Sequence, residues 1–315
     1  MFLRIESYGI SDIGNVREVN EDRFLIADLC RSLQIHFTNL DHDHQTRLYS
    51  PSQSQLFAVA DGMGGHASGD RASTVAVDTL ITYTLNCMHW FHRLGEDPDE
   101  DFLDELKSAL EQCHAEINAE AEVLTDREGM GTTVTAGYVV WPRLYVVHVG
   151  DSRCYLFRGK KLRRITTDHT VSQRLADEGV LEDEEIEHSR FSHMLWNVVG
   201  GGGDDIMPEV NKVRLAAGDT LLFCSDGLTN HVCEKEIAHI LKDGRNAADT
   251  CQVLVQMAKD AGGSDNITVV VAHFIEEPTA DTLETESVVD RSVELEEPLH
   301  GRDISIKEDV EGLVK

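Results

Sequence analysis

Apolar positions along this chain follow two different periods, and the periods separate strands from helices. Short unbroken apolar runs at residues 56–60 (LFAVA), 144–150 (LYVVHVG), 220–225 (TLLFCS) and 267–271 (ITVVV) predict buried strands. Residues 2–10 and 22–29 read as further strands. So do 129–140 and 153–165, the latter turning at Gly159. By contrast, Ala72, Val75, Ala76, Thr79, Leu80, Tyr83, Cys87 and Met88 recur at helical spacing. Leu103, Leu106, Leu110, Cys113, Ile117, Ala121 and Leu124 do so more cleanly, with Asp97, Pro98 and Asp99 marking the break between the two helices. Each stripe covers one face, so each helix is expected to lie on a sheet. Residues 210–226 are expected to form a further strand pair, followed by helices at 234–242 and 247–260 and a last strand at 267–274. Strands, two helices, a run of strands, two helices and a final strand make an α+β chain: two antiparallel sheets face to face with helix pairs outside, a four-layer αββα sandwich.

Polar stretches divide this pattern. Arg31–Gln55 reads as an insertion loop, and its DHDH run at 41–44 is a metal candidate outweighed by its flexible, unsupported setting. Residues 168–205 hold a short helix from about Val171 to Glu178, an acidic stretch at 181–188 and four glycines at 200–203, which suggest a mobile flap beside the site. Past Glu276 the chain turns acidic and poor in aromatics, so a domain of 1–275 with a largely disordered tail of 276–315 is expected.

Composition narrows the possibilities. With 41% hydrophobic residues in 315, a substantial core is available. Acidic residues number 57 against 28 basic, a net charge of −29, which argues against nucleic acid or an anionic membrane as the main partner. Seven scattered cysteines without a CxxC read as reduced thiols, and no stretch resembles a signal peptide or membrane span, so a cytoplasmic location is expected.

The chemistry sits where strands end. Asp61 follows 56–60 and precedes Gly62, Gly64 and Gly65, which are expected to let the backbone turn and expose carbonyls. Asp151 follows 144–150, Asp226 follows 220–225, and Asp265 with Asn266 comes before 267–271. If the last two strands are antiparallel, Asp226 and Asp265 share one sheet edge. Like charges gathered at ~4 Å cost about 4 kcal/mol per pair at an effective dielectric of ~20, so the cluster must bind protons or cations. No histidine or cysteine alternates with these acids, and an all-oxygen donor set favours Mg²⁺ or Mn²⁺.

These motifs, in order and spacing, resemble the metal-dependent protein phosphatases of the type 2C class in their compact bacterial form. They are RxxNED at Arg17–Asp22, ADGMGGH at 60–66, GTT at 131–133, GDSR at 150–153, TxDH at 166–169, SDG at 225–227 and DN at 265–266. The resemblance covers roughly residues 7–274. It implies hydrolysis of phosphoserine and phosphothreonine in proteins, by direct attack at phosphorus of a water or hydroxide bound by a binuclear Mn²⁺ or Mg²⁺ centre, with no phosphoenzyme. In this scheme Asp61 bridges both ions, Asp226 and Asp265 complete one coordination sphere, and the Gly62 carbonyl serves the other. Glu21 acts through bound water, Asp22 orients the shell, and Asp151 with Asp226 forms a third, weaker ion site. Arg17 grips the phosphate, as its bidentate fork suits a dianion. His66 is the candidate to protonate the leaving alkoxide, against a metal-bound water, because Met63 stands where animal relatives place histidine. Substrates of a serine/threonine kinase are the expected partners, and a monomer is expected.

Alternatives stay open on the residues alone. A degenerate phosphoprotein-binding module would have lost a ligand aspartate, yet Asp61, Asp226 and Asp265 are present. Another two-metal hydrolase, such as a phosphodiesterase, would recruit histidine, and His148 alone lies in a strand leading to a ligand acid. It reads as structural. Ser225 or Cys224 as a covalent nucleophile is less economical than a strand residue before a ligand.

Overall fold

Sheet and helix in this protein are ordered by which face of each strand is apolar, and here both faces are. The computed structural model describes residues 2–30, 32–34, 47–49, 54–64, 68–86, 99–123, 127, 129–186 and 188–277. Contacts gather Leu3–Glu276 into one unit. Its strands in chain order are β1 (Phe2–Asp12), β2 (Asp22–Leu29), β3 (Ser32–Gln34), β4 (Arg47–Tyr49), β5 (Ser54–Met63), β6 (Gly131–Thr132) and β7 (Val134–Val140). Then come β8 (Arg143–Val149), β9 (Arg153–Arg158), β10 (Lys161–Arg164), β11 (Val199–Gly200), β12 (Glu209–Arg214), β13 (Thr220–Cys224) and β14 (Ile267–Glu277). The helices are α1 (Ser68–Asn86), α2 (Asp99–Val123), α3 (Val171–Asp177), α4 (Asp226–Thr229), α5 (Glu234–Lys242) and α6 (Ala247–Asp260).

One sheet runs β1-β14-β13-β9-β10. The other runs β11-β6-β5-β7-β8-β12, with β2 also paired to β5. Alternation explains the layers. Phe57 and Val59 of β5, Leu144 and Val146 of β8, Leu221 and Phe223 of β13 and Val270 of β14 fill the seam between the sheets. Phe57 and Phe223 stack across it with ring centroids 5.8 Å apart. The intervening residues face outward: Leu56, Ala58 and Ala60 meet α1 and α2, while Leu222, Cys224, Val269 and Val271 meet α5 and α6. Burial on both faces is why these strands read as continuous apolar runs.

Four sequence expectations change. Residues 210–226 are not a strand pair: β12 pairs with β8 in one sheet and β13 with β9 and β14 in the other. The crossover is closed by Asp219, buried beneath the fork of Arg158 at 2.7 and 2.6 Å and accepting from Ala216 N. Within 31–55, β3 and β4 pair as a hairpin and Ser54 already begins β5. The DHDH run lies outside the described residues. The 56–60 strand does not stop at Asp61 but continues to Met63. The 200–203 glycines are clamped: Gly200 N donates to His114 Nδ1, Gly202 N to Asn118 Oδ1 and Gly201 N to Met130 O, while Gly203 O accepts from Asn118 Nδ2. Gly200 makes the close approach: a Cβ there would meet Ile117 of α2 at 2.4 Å and the Met130 carbonyl before β6 at 2.7 Å.

Candidate metal centre

The alternation that packs Phe57 and Val59 carries Asp61 to the end of the same seam. Asp61 stands directly opposite Asp22 in the β2–β5 register. Its backbone is fixed by the GTT run: Asp61 N donates to Thr133 Oγ1 at 3.0 Å, and Asp61 O accepts from Thr133 N and Thr132 Oγ1, both at 2.8 Å. In the second sheet β13 and β14 are antiparallel, so Asp226 after one and Asp265 before the other reach the same edge. Here Gly227 is obligatory, since a Cβ would sit 1.9 Å from Asn266 O. Asn266 ties the edges together, accepting from Glu21 N and donating to the carbonyls of Ile13 and Val19. Ser225 Oγ donates to Asp22 Oδ2 at 2.7 Å and accepts from Thr268 N.

Gly62 is not a turn residue. It lies within β5, where a Cβ would meet Gly69 O at 2.1 Å, so its role is close approach of α1 to the strand. The backbone turns at Gly64, with φ +127°. Gly65 and His66 lie outside the described residues.

Electrostatics at this edge call for protons or counter-cations. Burial pushes Asp22 up to about 7, with Asp226 and Asp265 adding to the shift and the Ser225 hydroxyl opposing it. Burial likewise holds Asp61 well above the usual carboxylate range, reinforced by Asp22, Asp226, Asp151 and Asp265. Asp151 is raised the same way by burial and Asp226, and Asp226 by burial and Asp265. Asp22 Oδ1 and Asp226 Oδ1 are buried without a hydrogen-bond donor among the described residues. Acids that must take up protons when alone, with oxygens left unsatisfied, fit hard divalent ions. Arg17, half exposed, points Nη2 at Asp265 Oδ2 at 2.7 Å, and that bond raises its own pKa further. Glu21 is buried beside this group, its carbonyl accepting from Ser73 Oγ.

A family model described as protein phosphatase 2C matches residues 41–267. The chain belongs to the protein phosphatase 2C family. Within this family it is similar to the serine/threonine protein phosphatase PstP of Mycobacterium tuberculosis, 36% identical over 223 residues, which are 71% of this chain and 41% of PstP. The chain therefore spans less than half the length of that curated relative. The serine/threonine phosphatase stp of Listeria monocytogenes is 35% identical over 216 residues, 69% of this chain and 83% of its own length. The crystal structure of Mycobacterium tuberculosis PstP superposes with a TM-score of 0.69 at 32% identity, covering 86% of this chain and 99% of that one. The PstP catalytic domain in complex with two manganese ions gives 0.66 at 32% identity, covering 87% and 100%.

In this phosphatase 2C chain the structure brings Asp22, Asp61, Asp151, Asp226 and Asp265 into one electrostatic neighbourhood, with Glu21 and Arg17 at its rim. Sequence reasoning missed the residues that hold them. Thr133 and Ser152 hydroxyls meet at 2.7 Å, joining the residue that holds the Asp61 backbone to the Asp151 turn, and both lie inside the GTT and GDSR motifs, whose pattern assigns these hydroxyls no role of their own. Arg153 is likewise spent internally, forked onto buried Asp168 at 3.0 and 2.7 Å. From the 168–205 segment, His193 lies near enough to Asp226 to lower its pKa.

One compact group lies elsewhere. Ligand atoms of His148, His169 and Glu209 come within 4.8 Å of one another, the one such His/Cys/Asp/Glu trio found among the described residues. Its hydrogen bonds leave no place for a metal. His148 Nε2 faces the Thr167 carbonyl at 3.1 Å and so carries its proton, while Nδ1 faces the Thr135 hydroxyl. His169 Nδ1 meets the N–H groups of Gly150 and Asn197, which puts its proton on Nε2. Burial, with His169 nearby, lowers His148 to about 3, and burial lowers His169 to about 4, so both stay neutral. With His169 Nδ1 accepting those N–H groups, a metal on Nε2 would require the ring to be an imidazolate.

Proposed function

We propose that this chain is a Mn²⁺- or Mg²⁺-dependent phosphatase that removes phosphate from phosphoserine and phosphothreonine in proteins. The observation that carries it is the convergence of Asp22, Asp61, Asp151 and Asp226 at one seam edge, all with raised pKa, in a chain of this family. Asp61, Asp226, Asp265 and the Gly62 carbonyl would hold two ions, Asp151 with Asp226 a third, weaker one, and Glu21 and Asp22 would order the surrounding shell. Bound there, divalent ions supply charge neutralisation at phosphorus and an acidified water.

The protein's own residues account for the rest. Arg17 keeps its charge at the mouth through Asp265 and has further N–H groups to fork onto a phosphate dianion. His66 is the proposed proton donor to the leaving alkoxide. Neither Ser225 nor Cys224 suits a covalent route. The Ser225 hydroxyl is committed to Asp22 and fully buried, and burial pushes the Cys224 thiol up to about 12 on the face turned to α5 and α6. Direct hydrolysis without a phosphoenzyme is therefore the proposed route. Phosphoproteins made by a serine/threonine kinase are the proposed substrates, and no helix among the described residues is long and apolar enough to cross a membrane.

The test is phosphate release from matched phosphoserine, phosphothreonine and phosphotyrosine peptides and from a diester. Release from the first two with Mn²⁺, abolished by a chelator, is expected. Binding of phosphopeptide without release, or preference for the diester, would overturn the assignment.

A further inference from the structure

Beside the start of β12 and the end of α3 lies a surface cavity of about 360 Å³. Its walls include Trp196, Met207, Arg174, Asp177, Glu209 and His169. The cavity backs onto the turn that carries Asp151: His169 N donates to Gly150 O at 2.7 Å, and Gly150 N donates to His169 Nδ1 at 3.1 Å. With Nδ1 accepting, the imidazole proton is on Nε2. That side chain is only 9% exposed, and the acceptor facing Nε2, Glu209 Oε2, is 3.9 Å away, too far for a hydrogen bond. The His169 Nε2–H of a mostly buried ring thus opens on the cavity, with no acceptor at hydrogen-bond distance among the described residues.

Charge around the cavity is lopsided. Asp168 is neutralised by Arg153 and Arg164, and Arg174 is paired with Glu178. Asp177 and Glu209 meet no lysine or arginine among the described residues: Asp177 accepts from Gln173, and Glu209 from Thr167 and Asn211. Exposed Glu182, Asp183, Glu184 and Glu185 follow α3 closely in the chain. The Trp196 ring already takes a cation on its face, with the Arg174 guanidinium 5.2 Å from its centroid.

We propose that this cavity is a subsite for a lysine or arginine side chain of the substrate protein. The aliphatic stem lies on Trp196 and Met207, the charge meets Asp177 and Glu209, and His169 Nε2–H takes a backbone carbonyl of the same segment. The proposal rests on the phosphatase reading and adds to it a preference for basic residues flanking the phosphorylated one.

The test uses the Mn²⁺-loaded full chain and phosphothreonine peptides in which one arginine is moved residue by residue along both flanks of an alanine background. At one or more positions arginine should raise kcat/KM about two- to fivefold over alanine, the size of a half-exposed cation contact. Asp177→Lys and Glu209→Gln should each remove that gain while leaving p-nitrophenyl phosphate turnover unchanged. Peptide hydrolysis with no arginine gain, or a gain that persists in both variants, would overturn the subsite and leave the phosphatase reading standing. Failure to hydrolyse any peptide or p-nitrophenyl phosphate would overturn both.

Discussion

Asp61→Ala is expected to lower kcat/KM toward a phosphothreonine peptide at least about 10³-fold, roughly 4 kcal/mol of transition-state stabilisation. The strand should survive this change, because the Asp61 backbone is held by Thr132 and Thr133 on both its N–H and its carbonyl. Removing one of several mutually repelling buried acids even relieves strain in the metal-free protein. Activity and stability should therefore part company: turnover collapses while the urea midpoint without metal is unchanged or higher. Turnover within about tenfold of wild type would show that Asp61 is no part of the centre.

The second large effect is on stability and runs against the usual acid destabilisation. Asp22 sits near 7 in the folded chain against an ordinary 3.8, and Asp61, Asp151 and Asp226 shift the same way. A group raised on folding contributes stability that is fully present below its unfolded pKa and lost as pH rises through its folded pKa. Metal-free protein should therefore gain stability as pH falls from 8 to 6.5, by roughly 0.5 kcal/mol per pH unit from Asp22 alone and by up to about 1.4 kcal/mol per pH unit for each further carboxyl that stays protonated only in the folded chain over that range. Below about 6.5 the lowered His148, His169 and His273 act oppositely, since the unfolded chain takes up protons that the fold refuses. Chemical unfolding with chelator and with Mn²⁺ checks this. The slope between pH 8 and 6.5 should be present in the first and flattened in the second, and a slope unaffected by Mn²⁺ would contradict the account.

Much of this architecture is visible in the linear pattern, and the reason is physical. Strands covered on both faces are apolar at every position, so β5, β8, β13 and β14 stand out as unbroken runs. The acids stand out because each is placed at one end of such a run, Asp61, Asp151 and Asp226 after it and Asp265 before it. Pairing partners are less legible. Nothing local in 210–226 says that the chain changes sheet, since that depends on Arg158 reaching Asp219 from 61 residues away. Conformation at glycines is also hidden: Gly62 looks like a turn signal, yet its need for a missing Cβ comes from Gly69, on a helix that begins after it. Hydroxyls such as Thr133, Ser152 and Ser225 carry no period and no charge, so their work as struts appears only when two turns are seen to touch.

What everything else depends on is that distant acids share one place where divalent ions bind. Calorimetric titration of the metal-free full chain with Mn²⁺ near pH 7 measures this directly. At least two ions per chain should bind with release of protons from the raised carboxyls, and Asp226→Asn should weaken or abolish that binding. Saturation without ion uptake, or the same stoichiometry and affinity in Asp226→Asn, would mean that these aspartates do not form the metal centre.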